Sequence, residues 1–262
     1  MRSLLVLALA CLGAVSDAAE RIASFSPAAT RILVDLGVGD GIVAATRWCE
    51  LPASHAARRS CDAFEPDMEA LRASGASVAV LPRLSNPMLA ERVRSIGLRV
   101  VVLTPESPES PAADIATLAR LTGRIQAAES LLRARTQAQR SRGNKRVLVI
   151  WDGVCAGPDS YLSWAIRAAG GEPAPMSGAW PQWDIEEMAR ASPDLVLLLK
   201  SDGPPQPTED SQELDFWTRT AGLRNTPAAK NMRVFKVKAG SDWLPASGQP
   251  AAAETLARLL EK

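Results

Sequence analysis

The stretch DIATLARLTGRIQAAESLLRARTQAQRSRG, residues 114–143, determines how the rest of the chain is organised. It contains no proline and one internal glycine, Gly123, and its apolar residues recur at steps of three and four, which predicts one amphipathic helix. The apolar stripe consists of Ile115, Leu118, Leu121, Ile125, Ala128 and Leu132. About 28 helical residues span ~40 Å, more than one compact lobe needs. We therefore predict a helix between two lobes; a long helix inside a single domain is the alternative.

Segments typical of strands and helices alternate on both sides of this stretch. Helix, turn and strand follow one another in DMEALRASGASVAVL at 67–81 and in NPMLAERVRSIGLRVVVL at 86–103, and the strand KRVLVIW at 145–151 restarts the pattern. Such alternation predicts parallel sheets covered by helices. The predicted fold class is α/β, with an N-terminal lobe over 19–113 and a C-terminal lobe over 144–262, joined by the single long helix.

The first residues have the pattern of an export signal. Arg2 precedes the apolar run LLVLALACLGAV, and small residues follow, which predicts a signal peptide over 1–18 that is cut after Ala18 and a periplasmic mature protein. Cys11 suggests a lipoprotein instead, but the short apolar run ahead of it argues against lipidation. No other apolar run approaches the ~20 residues that cross a bilayer.

Three cysteines remain after the leader. Cys49 and Cys61 are close in the chain, and in an oxidising compartment they are predicted to form a disulfide bond. Cys155 is then the odd one, and we interpret it as a small buried residue. A single histidine, His55, and the lack of clustered cysteine and histidine argue against a dedicated zinc or manganese site.

Charge and motifs exclude several classes of function. Thirty basic side chains against 29 acidic ones give a net charge of +1, which is no basis for binding nucleic acid or an anionic membrane. No Gly-x-Ser-x-Gly motif is present. Adjacent acids such as Glu186 and Glu187 are more typical of a helix terminus than of acid–base catalysis. We expect a monomer without catalytic residues or a cofactor.

The placement of tryptophan indicates a binding cleft. Seven tryptophans stand against four phenylalanines and one tyrosine, although a core would favour phenylalanine and leucine. Five of them fall at predicted strand ends or in loops: Trp48, Trp151, Trp180, Trp183 and Trp243. Indole rings at the mouths of two facing sheets suit a large, flat, partly apolar ligand, with simple packing as the alternative for each. Trp164 and Trp217, at helical positions, are predicted to pack in cores.

Ligands of parallel sheets lie beyond the carboxyl ends of the strands. In the first half those ends carry Ser26-Pro27, Trp48 and the run from Leu81 to Arg83. Arg83 is the basic residue among them and is therefore a candidate ligand-binding residue.

Three segments resemble the periplasmic cobalamin-binding proteins of ABC importers, a class in which one long helix joins two lobes. They are RIASFSPAATRILVDLG, WPQW followed by DIEEMARASPDLVLLL, and SDWLPASGQP, and they occur in the family's order. SPAAT and SPDLV are shared with relatives that bind haem and iron-siderophores, whereas WPQW and SDW are narrower and point to cobalamin. The resemblance implies a protein that captures a corrinoid between its lobes and delivers it to a membrane permease.

The resemblance also implies roles for individual residues. Carried over by motif, the ligand-binding residues are Ser26, Pro27, Ala28, Trp48, Trp180, Asp242 and Trp243. Glu186 matches a surface glutamate with which the second lobe docks onto the permease.

This chain departs from the family at two positions. Leu81 stands where the family has a tryptophan, which makes the first-lobe wall less aromatic. Pro87 stands where the family has the docking glutamate of the first lobe, and Glu91 follows one helical turn later. We predict permease docking through Glu186 and Glu91.

Two other functions are compatible with this fold. A haem or iron-siderophore binding protein is one, with Tyr161 and His55 as the available iron ligands. An exported sensor or scaffold without a transporter is the other.

Overall fold

Two sheets with helices around them make up the protein, and the α/β prediction is confirmed. The computed structural model describes residues 20–52, 55, 61–62, 66–82, 86–104, 106–141, 143–174, 177–182, 184–200, 203, 206–209 and 211–261. Each sheet has its own hydrophobic cores, so the molecule has two lobes.

The first lobe is a parallel sheet built from helix–strand units. Its elements are β1 (Ile22–Ser24), α1 (Pro27–Asp35), β2 (Ile42–Ala45), α2 (Met68–Ala73), β3 (Val78–Leu81), α3 (Pro87–Ser95) and β4 (Arg99–Val102). The strand order is β2-β1-β3-β4, and neighbouring strands are parallel. Because all four strands run the same way, their carboxyl ends meet at one edge of the sheet.

Side chains alternate between the two faces of this sheet. Ile22 and Val80 enter one core, while Ala23, Ala79 and Leu81 enter a second core on the other face. Both sets are buried because helices cover both faces, as is usual for parallel sheets.

The first helix begins as its sequence predicts. Ser26 has an extended backbone, and its hydroxyl accepts a hydrogen bond from the Ala29 N–H at 3.3 Å. Pro27 occupies the first helical position, where a missing N–H costs nothing. The cap fixes Ser26 at the carboxyl edge of the sheet.

The connector between the lobes is two helices, and the prediction of one helix over 114–143 is wrong. α4 covers Ser110–Thr122 and α5 covers Ile125–Gln137. Between them Gly123 has a left-handed backbone (φ 71°), and the N–H groups of Gly123 and Arg124 both bond to the carbonyl of Ala119. A left-handed glycine ends a helix in this way, although the apolar stripe continues past it.

The far end of α5 is fixed to the second lobe through a buried arginine. The Arg135 guanidinium lies 3.6 Å from the centre of the Trp164 ring and donates to the Gln249 side chain and, at 2.6 Å, to the Pro108 carbonyl. Burial lowers the pKa of Arg135 to about 10, against a smaller opposing effect of Glu109, so the side chain stays charged at neutral pH. The connector is therefore anchored in both lobes.

The second lobe continues the alternation with a larger sheet. Its elements are β5 (Arg146–Trp151), β6 (Val154–Cys155), α6 (Tyr161–Ala168), β7 (Glu172–Pro173), α7 (Ile185–Ala191), β8 (Leu195–Lys200), β9 (Thr208–Glu209), α8 (Ser211–Arg219), α9 (Pro227–Lys230), β10 (Val234–Lys238) and α10 (Gln249–Glu261). The central strands β5, β8 and β10 are parallel, whereas β6 and β9 pair antiparallel at the edges. An Asp184–Glu187 capping box starts α7.

Helix length bears on membrane insertion. α4, α5 and α10 have 13 residues each. No helix in the described part of the chain combines the length and the apolarity needed to span a bilayer.

Three interpretations of individual core residues are confirmed. Trp164 and Trp217 are buried in the two cores of the second lobe, on opposite faces of its sheet. Cys155 is buried in the same core as Trp217, beside apolar neighbours. Trp243, predicted at a strand end or in a loop, is also buried in a core, so helical position did not identify every packing tryptophan.

The chain passes between the lobes a second time near its end. A 3₁₀ helix at Ser241–Trp243 places Trp243 in the second-lobe core, while Ala246, three residues on, is buried in the first-lobe core. Arg31 of α1 donates to Ser241 at 2.8 Å and to Asp242 at 3.1 Å. The lobes are thus joined by the helical connector and by this return segment, rather than by a helix alone.

The predicted disulfide bond is absent. Cys49 and Cys61 are both buried, and the structure shows no bond between them. The Cys49 sulfur instead lies 3.2 Å from the Thr46 hydroxyl. Burial raises the pKa of the Cys61 thiol well above its usual range, and the neighbouring Cys49 adds to the rise. The two cysteines are near one another but belong to the two different cores of the first lobe.

Candidate functional site

A cavity of about 190 Å³ lies between the lobes, at the carboxyl edge of the first sheet. Its lining residues are Ser26, Ala28, Pro82, Leu103, Thr104, Glu106, Ser110, Asp114, Tyr161 and Pro245. The first eight belong to the first lobe and the start of α4, and the last two to the second lobe and the return segment. The crossing of the first-lobe strands with α4 thus creates one wall, and the start of α6 creates the other.

The first-lobe wall is held in place by buried hydroxyl groups. The Thr30 hydroxyl donates to the Ser24 hydroxyl at 2.8 Å, and the Ser24 hydroxyl donates to the Ser26 carbonyl at 3.1 Å. All three residues are buried, so these bonds are shielded from water and fix the turn between β1 and α1. Ser26 and Ala28 consequently line the cavity, with Pro27 between them in the chain. Their role in ligand binding stays a prediction.

Tyr161 is the aromatic residue that lines the cavity, and it belongs to a cluster of three rings in the second lobe, which we call the aromatic wall. The Tyr161 and Trp180 rings are tilted to one another with centroids 5.4 Å apart, and Trp151 meets Trp180 edge to face at 6.4 Å. Trp151 lies at the carboxyl end of β5, and Tyr161 is the first residue of α6, whose cap is Ser160. Of these three rings, Tyr161 is the one that lines the cavity.

Glu106 connects the two walls. It lies between β4 and α4, and one carboxylate oxygen accepts a hydrogen bond from the Trp180 indole N–H at 2.6 Å. The same oxygen lies 3.4 Å from the backbone N–H of Tyr161, which donates to it. A carboxylate of the first lobe therefore engages the aromatic wall of the second.

Burial controls the ionisation of Tyr161. Desolvation raises the pKa of its phenol well above the usual range, and the charge of Glu106 raises it further. The phenol is therefore neutral at physiological pH and offers a hydrogen-bond donor rather than an anionic ligand.

Asp114 stabilises the edge of the cavity on the first-lobe side. It is buried in α4, and its carboxylate accepts a hydrogen bond from the Thr104 backbone N–H at 2.8 Å. This bond fixes the chain just before Glu106. Asp114 thus holds in place the segment from which Glu106 reaches the other lobe.

The other predicted ligand-binding residues lie away from this cavity wall. Trp48 is 69% exposed on the loop after β2, with the Arg47 guanidinium 4.9 Å from its ring centre. Trp243 is 4% exposed inside the second-lobe core, and Asp242 pairs with Arg31. Arg83 and the leader 1–18 lie outside the described residues. The ligand-binding roles of these residues stay predictions.

The two predicted docking glutamates are on the surface. Glu91 is exposed on α3, and Glu186 is exposed in the first turn of α7. Each has an exposed apolar neighbour at the start of the same helix, Met88 and Ile185. Acidic and apolar side chains are therefore available together on each lobe.

Sequence reasoning missed Glu106 as a site residue. The signal in the sequence was weak, because TPESPES at 104–110 has the composition of an ordinary loop. Its position immediately before the connector and after the last first-lobe strand was the usable clue. Tyr161, which the sequence offers as an iron ligand or a packing residue, lines the cavity and packs against Trp180.

Comparisons with known proteins agree with this architecture. A cobalamin-binding protein of Halobacterium salinarum is 24% identical over 258 residues, covering 92% of this chain and 68% of the relative. The periplasmic haem-binding protein HutB of Vibrio cholerae has a similar structure (TM-score 0.76, 23% identity, covering 93% of this chain and 99% of that one). So does the periplasmic vitamin B12-binding protein BtuF of Vibrio cholerae (TM-score 0.70, 19% identity, covering 93% and 97%).

At these sequence identities the solved structures establish the fold alone. The family is shown by a match of the sequence to a family model. Residues 22–240, from the first strand of the first lobe to the return segment, match the family described as periplasmic binding protein. That match includes both walls of the cavity and the connector between the lobes. The chain belongs to the periplasmic binding protein family.

Proposed function

We propose that this protein captures cobalamin or a related corrinoid between its two lobes and delivers it to the permease of an ABC importer. The observation that carries the proposal is the cavity between Ser26 and Ala28 of the first lobe and Tyr161 of the second, with Tyr161 packed against Trp180 in a cluster of aromatic rings. A corrinoid is large, flat and rich in amide groups. Aromatic rings would contact its faces, and neutral polar groups would bond its edges.

The size of the cavity requires the lobes to separate. At about 190 Å³ it is smaller than the ~300–1,000 Å³ of typical small-molecule pockets. A macrocycle therefore enters only after the two walls move apart. The contacts that must change are those between Glu106 and the second lobe, because they cross the cavity.

The proposal extends to the partner and the compartment. Glu91 and Glu186 would dock onto basic pockets of a permease, with Met88 and Ile185 adding apolar contact. The leader over 1–18 would direct the chain to the periplasm. The protein would then act as a carrier and perform no chemistry on its ligand.

A titration with cyanocobalamin, followed by tryptophan fluorescence and calorimetry, tests ligand capture. We expect quenching with a micromolar or lower Kd, about −8 kcal/mol or more favourable. Trp180→Ala should weaken binding at least ~10-fold, since it removes an aromatic contact of ~1.4 kcal/mol or more. The matched control is Phe216→Ala, which removes an exposed aromatic ring on α8 and should leave the Kd unchanged.

The same titration distinguishes the alternative ligands. Haem bound through Tyr161 would shift the Soret band from that of free haem, and Tyr161→Phe should abolish this shift. The raised pKa of this phenol adds to the cost of binding iron as a phenolate. Binding of haem or an iron-siderophore without cyanocobalamin would reject the proposed ligand. Failure to pull down any permease, with corrinoid binding intact, would reject delivery and favour a sensor or scaffold.

A further inference from the structure

Glu106 is placed where a ligand's own polar groups would have to bind. Its carboxylate crosses from the first lobe to the indole N–H of Trp180 at 2.6 Å and to the backbone N–H of Tyr161 at 3.4 Å. Both donors belong to the aromatic wall of the second lobe. An acceptor from the protein thus already occupies the donors that an incoming ligand meets there.

Two physical effects strengthen this contact. The N–H of Tyr161 is in the first turn of α6, where the helix dipole favours a negative charge. The contact also lies in a partly buried region, where a hydrogen bond to a charged acceptor is stronger than one in water. The Glu106 side chain is therefore held in the cleft by both a directional bond and the field of the helix.

Glu106 also lies on a segment that is itself fixed. Thr104, two residues earlier, is bonded to Asp114 of α4 at 2.8 Å, and Ser110, four residues later, opens α4. When the lobes separate, the base of the Glu106 side chain consequently stays with the first lobe. Its bonds to Trp180 and Tyr161 must then break.

We propose that Glu106 is a closing residue: it holds the empty cleft shut and competes with the ligand for the donors of the aromatic wall. This inference rests on the proposed function for the identity of the ligand, whereas the contact is made by the protein's own groups. Binding would exchange the Glu106 bonds for ligand bonds. The affinity for a corrinoid is accordingly lower than it would be if Glu106 did not bond to the N–H groups of Trp180 and Tyr161.

Two variants test the competition. Glu106→Ala removes the closing contact, so the Kd for cyanocobalamin should fall by ~5-fold or more. Glu106→Gln keeps an oxygen that accepts from Trp180 but loses the charge that favours the α6 terminus, so its Kd should lie between those of Glu106→Ala and wild type. Glu129→Ala, which removes an exposed glutamate of α5, is the control and should leave the Kd unchanged. An unchanged or higher Kd in Glu106→Ala would overturn the proposal.

A ligand-free measurement separates this proposal from the proposed function. In spectra of protein labelled with ¹⁵N-tryptophan, the Trp180 indole signal is identified by its loss in Trp180→Phe. Its N–H should exchange with water faster in Glu106→Ala than in wild type, while the Glu129→Ala variant should match wild type. Equal exchange rates would overturn the closing role even if cyanocobalamin binds. Faster exchange supports the closing role of Glu106 even if no corrinoid binds to any variant. In that case the corrinoid is rejected as the ligand, and the closing role stands.

Discussion

Burial changes the chemistry of single side chains in this protein. The thiol of Cys61 is surrounded by first-lobe apolar residues, and the thiol of Cys155 by second-lobe ones. Burial raises the pKa of Cys155 to about 12, with a smaller effect from Glu187, and raises that of Cys61 further. Since the thiolate is the reactive form, a raised pKa makes both residues poor nucleophiles at neutral pH.

We predict that Cys61 and Cys155 resist alkylation in the folded protein. At pH 8, iodoacetamide should modify them many times more slowly than a cysteine introduced at an exposed site of α5, Ser130→Cys. After unfolding in guanidinium without reductant, Cys61, Cys155 and the introduced cysteine should all be alkylated at the same rate. Mass spectrometry of the peptides measures each rate. Rapid modification of native Cys61 would contradict its burial, and no modification after unfolding would reveal a disulfide that the structure lacks.

The residues of the cleft show where sequence patterns stop being informative. Ser26 was predictable because cap, proline and small residues occur together in one short motif. Glu106 was not, because its role depends on a hydrogen bond to Trp180, 74 residues away. The burial of Trp243 in the second-lobe core likewise depends on a return segment that has no local signature.

At the scale of elements, Gly123 decides the shape of the connector. Its φ of 71° is strained for any residue with a side chain, yet a methyl group added there would meet no atom within 4 Å. The effect of a substitution is therefore confined to the backbone. The apolar residues on either side keep a helical spacing, so periodicity predicted both helices but concealed the break.

We predict that Gly123→Ala destabilises the protein by ~1 kcal/mol. The paired control is Gly240→Ala. Gly240 also has open space around it, but its φ is −86°, so the substitution should leave the free energy of unfolding nearly unchanged. Urea unfolding measures both. An unchanged or increased stability of Gly123→Ala would indicate that the connector is a continuous helix.

At the scale of the whole molecule, the return segment limits how the lobes can move. Trp243 is anchored in the second lobe and Ala246 in the first, so the two cores are only three residues apart along the chain. Arg31 and Asp35 of α1 bind this segment through Asp242 and Ser247. Any opening must therefore bend the chain at this segment and at the helical connector, because both are anchored in the two lobes.

We predict an energetic coupling between Arg31 and Asp242 across the lobes. A double-mutant cycle with Arg31→Met and Asp242→Asn should give a coupling free energy of ~0.5–1 kcal/mol. The value is modest because the pair is partly exposed. The coupling should shrink in 1 M salt, which screens exposed charges. The exposed pair Asp215–Arg219 within α8 serves as the control and should couple less strongly. A zero coupling for Arg31 and Asp242 would show that this pair does not join the lobes.

A crystal structure of the protein with cyanocobalamin measures the central claim most directly. We expect the corrin ring between the wall of Ser26 and Ala28 and the wall of Tyr161 and Trp180, in a cleft wider than in the ligand-free protein. The 2.6 Å bond between Glu106 and Trp180 should be broken. A corrinoid bound elsewhere on the surface, with the cavity still closed at about 190 Å³, would contradict the account.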